Sequence, residues 1–363
     1  MTRTVLVTGG GGFIGSHTCV ELLRHGDDVV VVDDHSNSSP LALERVAAIA
    51  GRPLTAYYRG DVRNADLLGT VFDRHRIDAV IHFAAKKAVG ESVDIPLEYY
   101  DVNVGATTVL LRTMLRNDVH RLVFSSSCSI YGQTDRTPLG EAEPASPTNP
   151  YARSKWFCEN LIADACRRYP ELTAVALRYF NPIGAHPTGL LGEDPTGVPN
   201  NVMPFLLQVA VGRRPELQVF GDDYPTEDGT CVRDYIHVLD VADGHRAALR
   251  HVGADFEVFN LGTGVGTSVL QLVRAFEETC DVPIPVRIVG RRAGDVARLV
   301  ADPRAVRAAW GWRATRDLAT MCRDAWQFQR LNPSGYAGAA TASGPGWEAP
   351  AQADLVTPSV APK

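Results

Sequence analysis

The chain has no apolar run approaching the ~20 residues that a bilayer-spanning helix needs. It also has no block of lysine and arginine. The first absence argues against a membrane protein. The second, with 36 basic against 42 acidic residues and a net charge of -6, argues against nucleic acid as the main partner. Cysteine is sparse and scattered. The seven (Cys19, Cys128, Cys158, Cys166, Cys231, Cys280 and Cys322) include no CxxC pair, which speaks against a disulfide framework or a zinc site and for free thiols in a reducing cytoplasm. No secretory leader is expected at this N-terminus either: behind the lone charge of Arg3, the apolar stretch 4–8 is short and runs straight into glycines. A cytoplasmic enzyme without a structural metal is the expectation.

What is present is an ordinary globular composition, 45% apolar and 21% charged over 363 residues. At ~150 residues per domain, that length suggests two domains and a tail. Short β-branched runs over 4–8, 29–33, 55–59, 79–83, 121–126 and 173–179 read as strands. They are continuously apolar, as strands buried on both faces of a parallel sheet are. Helical patterns over 14–25, 41–50, 65–75, 97–117 and 151–169 alternate with them. This order predicts an α/β fold, a Rossmann-type doubly wound parallel sheet over 1–180. From residue 181 the pattern breaks into a Pro-, Gly- and Asp-rich loop, a helix over 202–211 and shorter elements. We read 181–336 as a smaller α/β substrate domain with some segments returning to the first sheet. The last 27 residues, 337–363, hold eight Ala, three Gly and four Pro, a composition expected to form a disordered tail.

After the first strand come Thr8 and four consecutive glycines, then Phe13, Ile14 and Gly15. Gly9, Gly10, Gly12 and Gly15 satisfy both GxGxxG and GxxGxxG. Such a turn lets the backbone approach a pyrophosphate seated on the following helix N-terminus. Asp33 ends the second strand, 18 residues after Gly15, where a carboxylate accepts from the ribose hydroxyls of an adenosine. Asp34 adds a second negative charge, unfavourable to a 2′-phosphate. The cofactor read from these residues is NAD.

The fifth strand closes in a serine run, Ser125-Ser126-Ser127. Tyr151 follows 24 residues after Ser127, and Lys155 lies four further on the same predicted helix face. A free tyrosine, with its pKa of ~10, is a poor base at neutral pH. A neighbouring ammonium, together with a positively charged nicotinamide, favours the phenolate. Tyr151 is thus the expected general base and acid, Lys155 its activator and Ser127 the group that holds the reacting oxygen.

These residues resemble the extended short-chain dehydrogenase/reductase superfamily, and within it the UDP-glucose (UDP-galactose) 4-epimerase family, over about residues 3–336. Further stretches carry the likeness: 80–85 (VIHFAA), 87–92 (KAVGES), 97–101 (LEYYD), 177–182 (LRYFNP), 192–195 (GEDP), 223–230 (DYPTEDGT) and 232–238 (VRDYIHV). The resemblance implies interconversion of UDP-glucose and UDP-galactose by transient oxidation at C4, rotation of the 4-keto sugar and re-reduction, with a tightly held NAD regenerated each turnover. It implies that Phe13, Ile14, Asp33, Asn37, Ser38, Asp61, Val62, Phe83, Ala84, Lys87, Asn103, Ser125 and Tyr179, besides the glycines, Tyr151 and Lys155, contact the cofactor. For the sugar nucleotide it implies Lys87, Ser127, Tyr151, Phe180, Asn181, Asn201 and Val202. Phe220 is implied against the uracil, Arg233 and Arg292 on the diphosphate, and Asp295 on the uridine ribose. A homodimer packed through the helices 97–117 and 151–169 is implied as well.

Asp34 departs from the family's usual Asn, and Ala85 from a common Gly. Leu299 stands at the family's pocket gate, where small residues admit N-acetylated hexoses and tyrosine excludes them. Its intermediate bulk predicts UDP-glucose and UDP-galactose as main substrates, with weak turnover of N-acetylated sugars. Three other readings share the fold. A UDP-pentose 4-epimerase uses the same chemistry. A sugar-nucleotide 4,6-dehydratase would carry Asp-Glu where Cys128-Ser129 stand. A non-enzymatic NAD-sensing protein would not need Tyr151, Lys155 and Ser127 together.

Overall fold

The computed structural model describes residues 2–338 except Asp135, Ala254 and Ala293. The tail expected over 337–363 lies, from residue 339 onward, outside the described residues.

Seven strands form one sheet in which every neighbouring pair is parallel: β1 (Thr4–Thr8), β2 (Asp28–Asp33), β3 (Ala56–Arg59), β4 (Ala79–His82), β5 (Arg121–Ser127), β6 (Thr173–Tyr179) and β10 (Phe256–Leu261). Their order is β10-β6-β5-β4-β1-β2-β3, so the chain reverses direction across the sheet between β1 and β4, where doubly wound folds open a crevice. Period-two alternation sends Val5 and Val7 to one face and Leu6 to the other. On the first face pack α1 (Phe13–Arg24), α2 (Pro40–Ala50) and α9 (Val238–His251). On the second pack α3 (Ala65–Arg74), α6 (Ala106–Arg116) and α7 (Pro150–Arg168). All six of the strands expected before residue 181 form, within one or two residues of the spans read from the sequence.

Local chemistry fixes where these helices begin. Asn149 accepts from the Ala152 amide and Pro150 occupies the first turn of α7, which sets the position of Tyr151 one residue later. Ser39 with Pro40 starts α2, and Asn64 starts α3.

The single helix expected over 97–117 is not one regular α-helix. A short α4 (Val89–Asp94) and α5 (Pro96–Tyr100) precede a wide π turn, Asp101–Gly105, that runs into α6. The wide turn carries Asn103, which is buried with its Oδ1 accepting from the Lys86 amide at 2.8 Å and its Nδ2 donating to Ser154 Oγ at 2.8 Å.

After β7 (Asn181–Ile183) the remaining elements are α8 (Val202–Ala210), β8 (Leu217–Phe220), β9 (Val232–His237), β11 (Gly266–Ser268), α10 (Val269–Cys280), β12 (Val286–Val289), β13 (Arg298–Leu299), α11 (Arg304–Trp310) and α12 (Leu318–Leu331). β9 pairs with β7, β11 and β13, while β8 pairs with β12. A separate core joins Leu206, Leu217, Tyr235, Phe276 and Met321 from α8, β8, β9, α10 and α12. The segment over 181–183, read as the start of a loop, is strand β7 instead. Its three residues are too few for periodicity to register, and its partner lies more than fifty residues away.

Candidate active site

Because the large sheet is parallel throughout, the carboxyl ends of β1, β2, β4, β5 and β6 lie along one edge. Each delivers a stretch that the sequence singled out: the glycine loop, Asp33, Phe83 to Lys87, Ser125 to Ser127, and Tyr179.

At Gly9, Gly10 and Gly15 the glycine loop leaves no room for a side chain. Gly9 has φ +72°, and a Cβ there would lie 2.7 Å from the Ala84 nitrogen; a Cβ on Gly15 would lie 2.2 Å from the Gly9 carbonyl oxygen. Phe13 and Ile14 open α1, whose cap is Gly12, and no side chain satisfies its first amides. Those donors, at the positive end of the helix, suit a pyrophosphate. Asp33 sits beside them: its Oδ2 accepts from the Gly11 amide at 2.8 Å, and its Oδ1 from the His35 amide at 2.9 Å and Ser38 Oγ at 2.8 Å. Asp61, at the end of β3 next to the buried Val62, is held by Arg63, whose guanidinium keeps its carboxyl below the usual range. The donor set and the side-chain-free cradle therefore fit a dinucleotide.

Tyr151 and Lys155 stand one turn apart at the start of α7. The Ser127 hydroxyl faces the phenol and pulls its pKa down, but burial wins and pushes Tyr151 up to about 12. Lys155 is 3% exposed; its ammonium donates to the Ser125 carbonyl at 2.8 Å and lies 5.0 Å from the Phe124 ring centre. Burial lowers it to about 8, against the pull of Cys158 and Glu159. The phenol thus stands above its ordinary value where the sequence led us to expect a lowered one. Desolvation outweighs its neighbours, and the charge of a nicotinamide adds to the opposing side only on binding. Tyr179 hydroxyl pairs with Ser125 Oγ, and Phe83 and Tyr179 both pack on the buried ring of His245, at 4.6 and 5.8 Å between centroids.

The second half of the chain adds a series of polar contacts. Lys87 Nζ donates to Glu193 Oε1 at 3.1 Å, and Asn201 Nδ2, next to Val202 at the start of α8, donates to the same oxygen at 3.2 Å. Arg292 Nη1 donates to the Asn200 carbonyl at 3.3 Å, its Nη2 to Asp295 Oδ1 at 2.9 Å, and Arg233 Nη2 lies 3.8 Å from that oxygen. The Arg292 guanidinium covers the Phe220 ring at 5.4 Å. Asn181 Oδ1 is buried without a partner, an acceptor waiting for a donor. Leu299 packs with Phe180, Cys128 and Ile130. Asn37, expected at the adenosine, accepts from the Thr196 amide and hydroxyl at 3.2 and 2.9 Å, tying this half to the first.

Of the residues named from the sequence, the glycine loop with Asp33, Ser127 with Tyr151, and Lys87, Asn201, Arg233, Arg292 and Asp295 are thus brought into local groups. Glu193, which holds Lys87 and Asn201, was not singled out for a role; its only signal was its place in the 192–195 stretch. His245 and Glu159 were missed because their partners are distant in sequence. Among the described residues no group of histidines, cysteines and carboxylates is arranged to hold a metal ion, and no described helix is long and apolar enough to cross a membrane. All seven cysteines are unpaired.

Residues 5–262 match the model of the NAD dependent epimerase/dehydratase family. The chain is 50% identical over 336 residues to the UDP-glucose 4-epimerase of Bacillus subtilis, covering 92% of this chain and 98% of that one. Among solved structures, the UDP-glucose 4-epimerase of Bifidobacterium longum in complex with NAD+ and UDP superposes with a TM-score of 0.89 at 49% identity, covering 92% of this chain and all of that one. The enzyme from Stenotrophomonas maltophila, with bound NAD and formylated UDP-arabinopyranose, gives 0.89 at 48% identity, covering 91% and 99%.

Proposed function

The chain belongs to the NAD dependent epimerase/dehydratase family, and on that premise we propose that it interconverts UDP-glucose and UDP-galactose by inverting C4. What supports this reading is that Ser127 faces Tyr151, and that Lys155, one turn on along α7, holds its ammonium on the Ser125 carbonyl, at the sheet edge that also bears the glycine loop and Asp33.

NAD, when bound, supplies the reversible oxidation at sugar C4. Gly9, Gly12, Gly15, Phe13 and Ile14 would hold its pyrophosphate, Asp33, Asn37 and Ser38 its adenosine ribose, and Asp61 and Val62 its adenine. Phe83, Ala84, Lys87, Asn103, Ser125 and Tyr179 would line the remainder. Tyr151 takes the proton from the C4 hydroxyl and gives it back after the ring has turned over. Lys155 favours the phenolate and binds the nicotinamide ribose, and Ser127 holds the oxygen that loses and regains the proton. The 4-keto sugar turns about its bond to the diphosphate. Arg233 and Arg292 hold that diphosphate, because guanidinium forks match phosphate oxygens. Asn181, Asn201 and Val202 position the nucleotide, Phe220 covers the uracil, Asp295 takes the uridine ribose, and Leu299 and Phe180 bound the sugar pocket.

In this division residues 1–180 carry the cofactor and 181–336 the sugar nucleotide, with β10 returned to the first sheet. A homodimer through the helices over 97–117 and 151–169 is supported by exposed apolar side chains on them: Leu97 is 81% and Phe157 49% exposed. The unpaired thiols favour a cytoplasmic site of action.

The test is chromatography of UDP-galactose, UDP-arabinose and UDP-N-acetylgalactosamine after incubation with the purified protein. The reading expects UDP-galactose to be converted fastest. Faster conversion of UDP-arabinose would replace it with the pentose epimerase.

A further inference from the structure

Glu159 lies one turn beyond Lys155 on α7 and two beyond Tyr151, on the same face, and no step above uses it. It is 1% exposed. Its Oε1 accepts from Arg178 Nε at 3.0 Å and from Ser126 Oγ, and its Oε2 accepts from Arg178 Nη2 at 2.6 Å. Arg178, on β6, is itself fixed. Its Nη1 donates to Tyr131 Oη at 3.1 Å and to the Glu141 carbonyl at 3.3 Å, and its guanidinium lies 5.1 Å from the Tyr131 ring centre and 5.8 Å from that of Trp156. Ser126 stands between Ser125, whose carbonyl receives the Lys155 ammonium, and Ser127, which faces Tyr151. A bidentate charged pair thus ties α7 to β5 and β6 at the point where the reacting groups sit.

The ionisable groups around Lys155 are few. Its own helix supplies Tyr151, Cys158 and Glu159, β4 supplies His82, and β6 supplies Tyr179 and, behind Glu159, Arg178. Tyr99 on α5 packs edge-on to Tyr151 at 6.5 Å. β5 offers Lys155 only the Ser125 carbonyl and the Phe124 ring. Of these groups Glu159 is the one carboxylate, held bidentately by Arg178.

We propose that Glu159, aimed by Arg178, is a positioning residue for the reaction: it is the counter-charge that keeps the Lys155 ammonium in place beside Tyr151. The proposal rests on the reading of Tyr151 and Lys155 given above. Burial alone drives Lys155 toward its neutral form, and Glu159 opposes that.

The test compares the pH dependence of kcat for the wild type, Glu159→Gln, Arg178→Gln and the double variant. It is paired with titration of the Tyr151 phenol by phenolate absorbance, using Tyr151→Phe to subtract other tyrosines. The alkaline limb of the profile marks loss of the Lys155 proton. Glu159→Gln keeps the shape and one polar contact but removes the charge, so that limb should fall by about one pH unit, a tenfold change in the proton affinity of the lysine. Arg178→Gln removes the cation and should move the limb upward. The double variant removes both members of the Glu159–Arg178 pair and should move it down by less than Glu159→Gln. If the single variants do not fold, the double variant decides. A limb unmoved in Glu159→Gln, or displaced in the same direction by both single substitutions, overturns the proposal. A wild type that converts no UDP-sugar overturns the underlying reading instead, and the absorbance titration still judges the pair.

Discussion

Replacing Gly15 with alanine tests the cofactor cradle on a contact whose size is known. The added Cβ would lie 2.2 Å from the Gly9 carbonyl oxygen and 3.0 Å from Gly10 Cα, both backbone atoms without a rotamer to relax into. Either α1 or the loop must move by roughly 1 Å, and overpacking of that kind costs ~1–3 kcal/mol. The displacement falls on the amides of Phe13 and Ile14, so the loss should appear in cofactor retention as well as stability. The assay is the NAD content per chain of freshly purified protein, with its melting temperature. Gly69→Ala is the control: Gly69 sits inside α3 with open space around its Cβ direction, and alanine there should stabilise by ~0.5–1 kcal/mol without touching the cofactor. Gly15→Ala protein that keeps a full complement of NAD and an unshifted melting temperature would refute the assignment of this loop.

Three further outcomes follow from the same geometry. Burial holds His17 and His82 at about 3 and His186 and His245 at about 4 in the folded chain, against ~6.5 when unfolded. The unfolded chain therefore binds more protons below that value, and stability should drop as pH falls from 7 to 5, by ~1–2 kcal/mol per histidine; urea midpoints independent of pH in that range would contradict this. Leu299→Ala opens the pocket wall formed with Phe180 and Cys128 and should raise turnover of UDP-N-acetylgalactosamine relative to UDP-galactose, whereas comparable wild-type rates on the two sugars would remove Leu299 as a gate. Leu97→Glu places a charge in the exposed patch with Phe157 and should give a monomer on size-exclusion chromatography with its melting temperature little changed; an unchanged elution position would move the dimer interface elsewhere.

The parallel sheet was legible because most of its strands read as continuous apolar runs and several lead into residues with a chemical signature, from the glycines after Thr8 to the serines at 125–127. The pieces that were not legible share one physical property: they are short and only partly buried, so no apolar run marks them. β7, β8, β11, β12 and β13 are two to four residues long, so no local period announces them. β10 lies at the edge of the first sheet although the strands before and after it in the chain, β9 and β11, pair with each other in the smaller sheet. The π turn over 101–105 sits inside a stretch whose apolar spacing is helical throughout, and what distinguishes it is the buried pairing of Asn103 with Lys86 and Ser154. Glu193 and Glu159 look like surface acids in the sequence; only Lys87, Asn201 and Arg178 give them a role.

The central claim is that Tyr151 carries the proton at C4, and replacing it with phenylalanine isolates that one hydroxyl. Wild type and Tyr151→Phe, each assayed for bound NAD and for UDP binding before UDP-galactose is supplied without added cofactor, give the most direct test. The account predicts equal NAD and UDP binding in both, conversion to UDP-glucose by the wild type, and a kcat lower by ~10²–10⁴-fold in the variant. A variant that turns over within a few-fold of the wild type would contradict it.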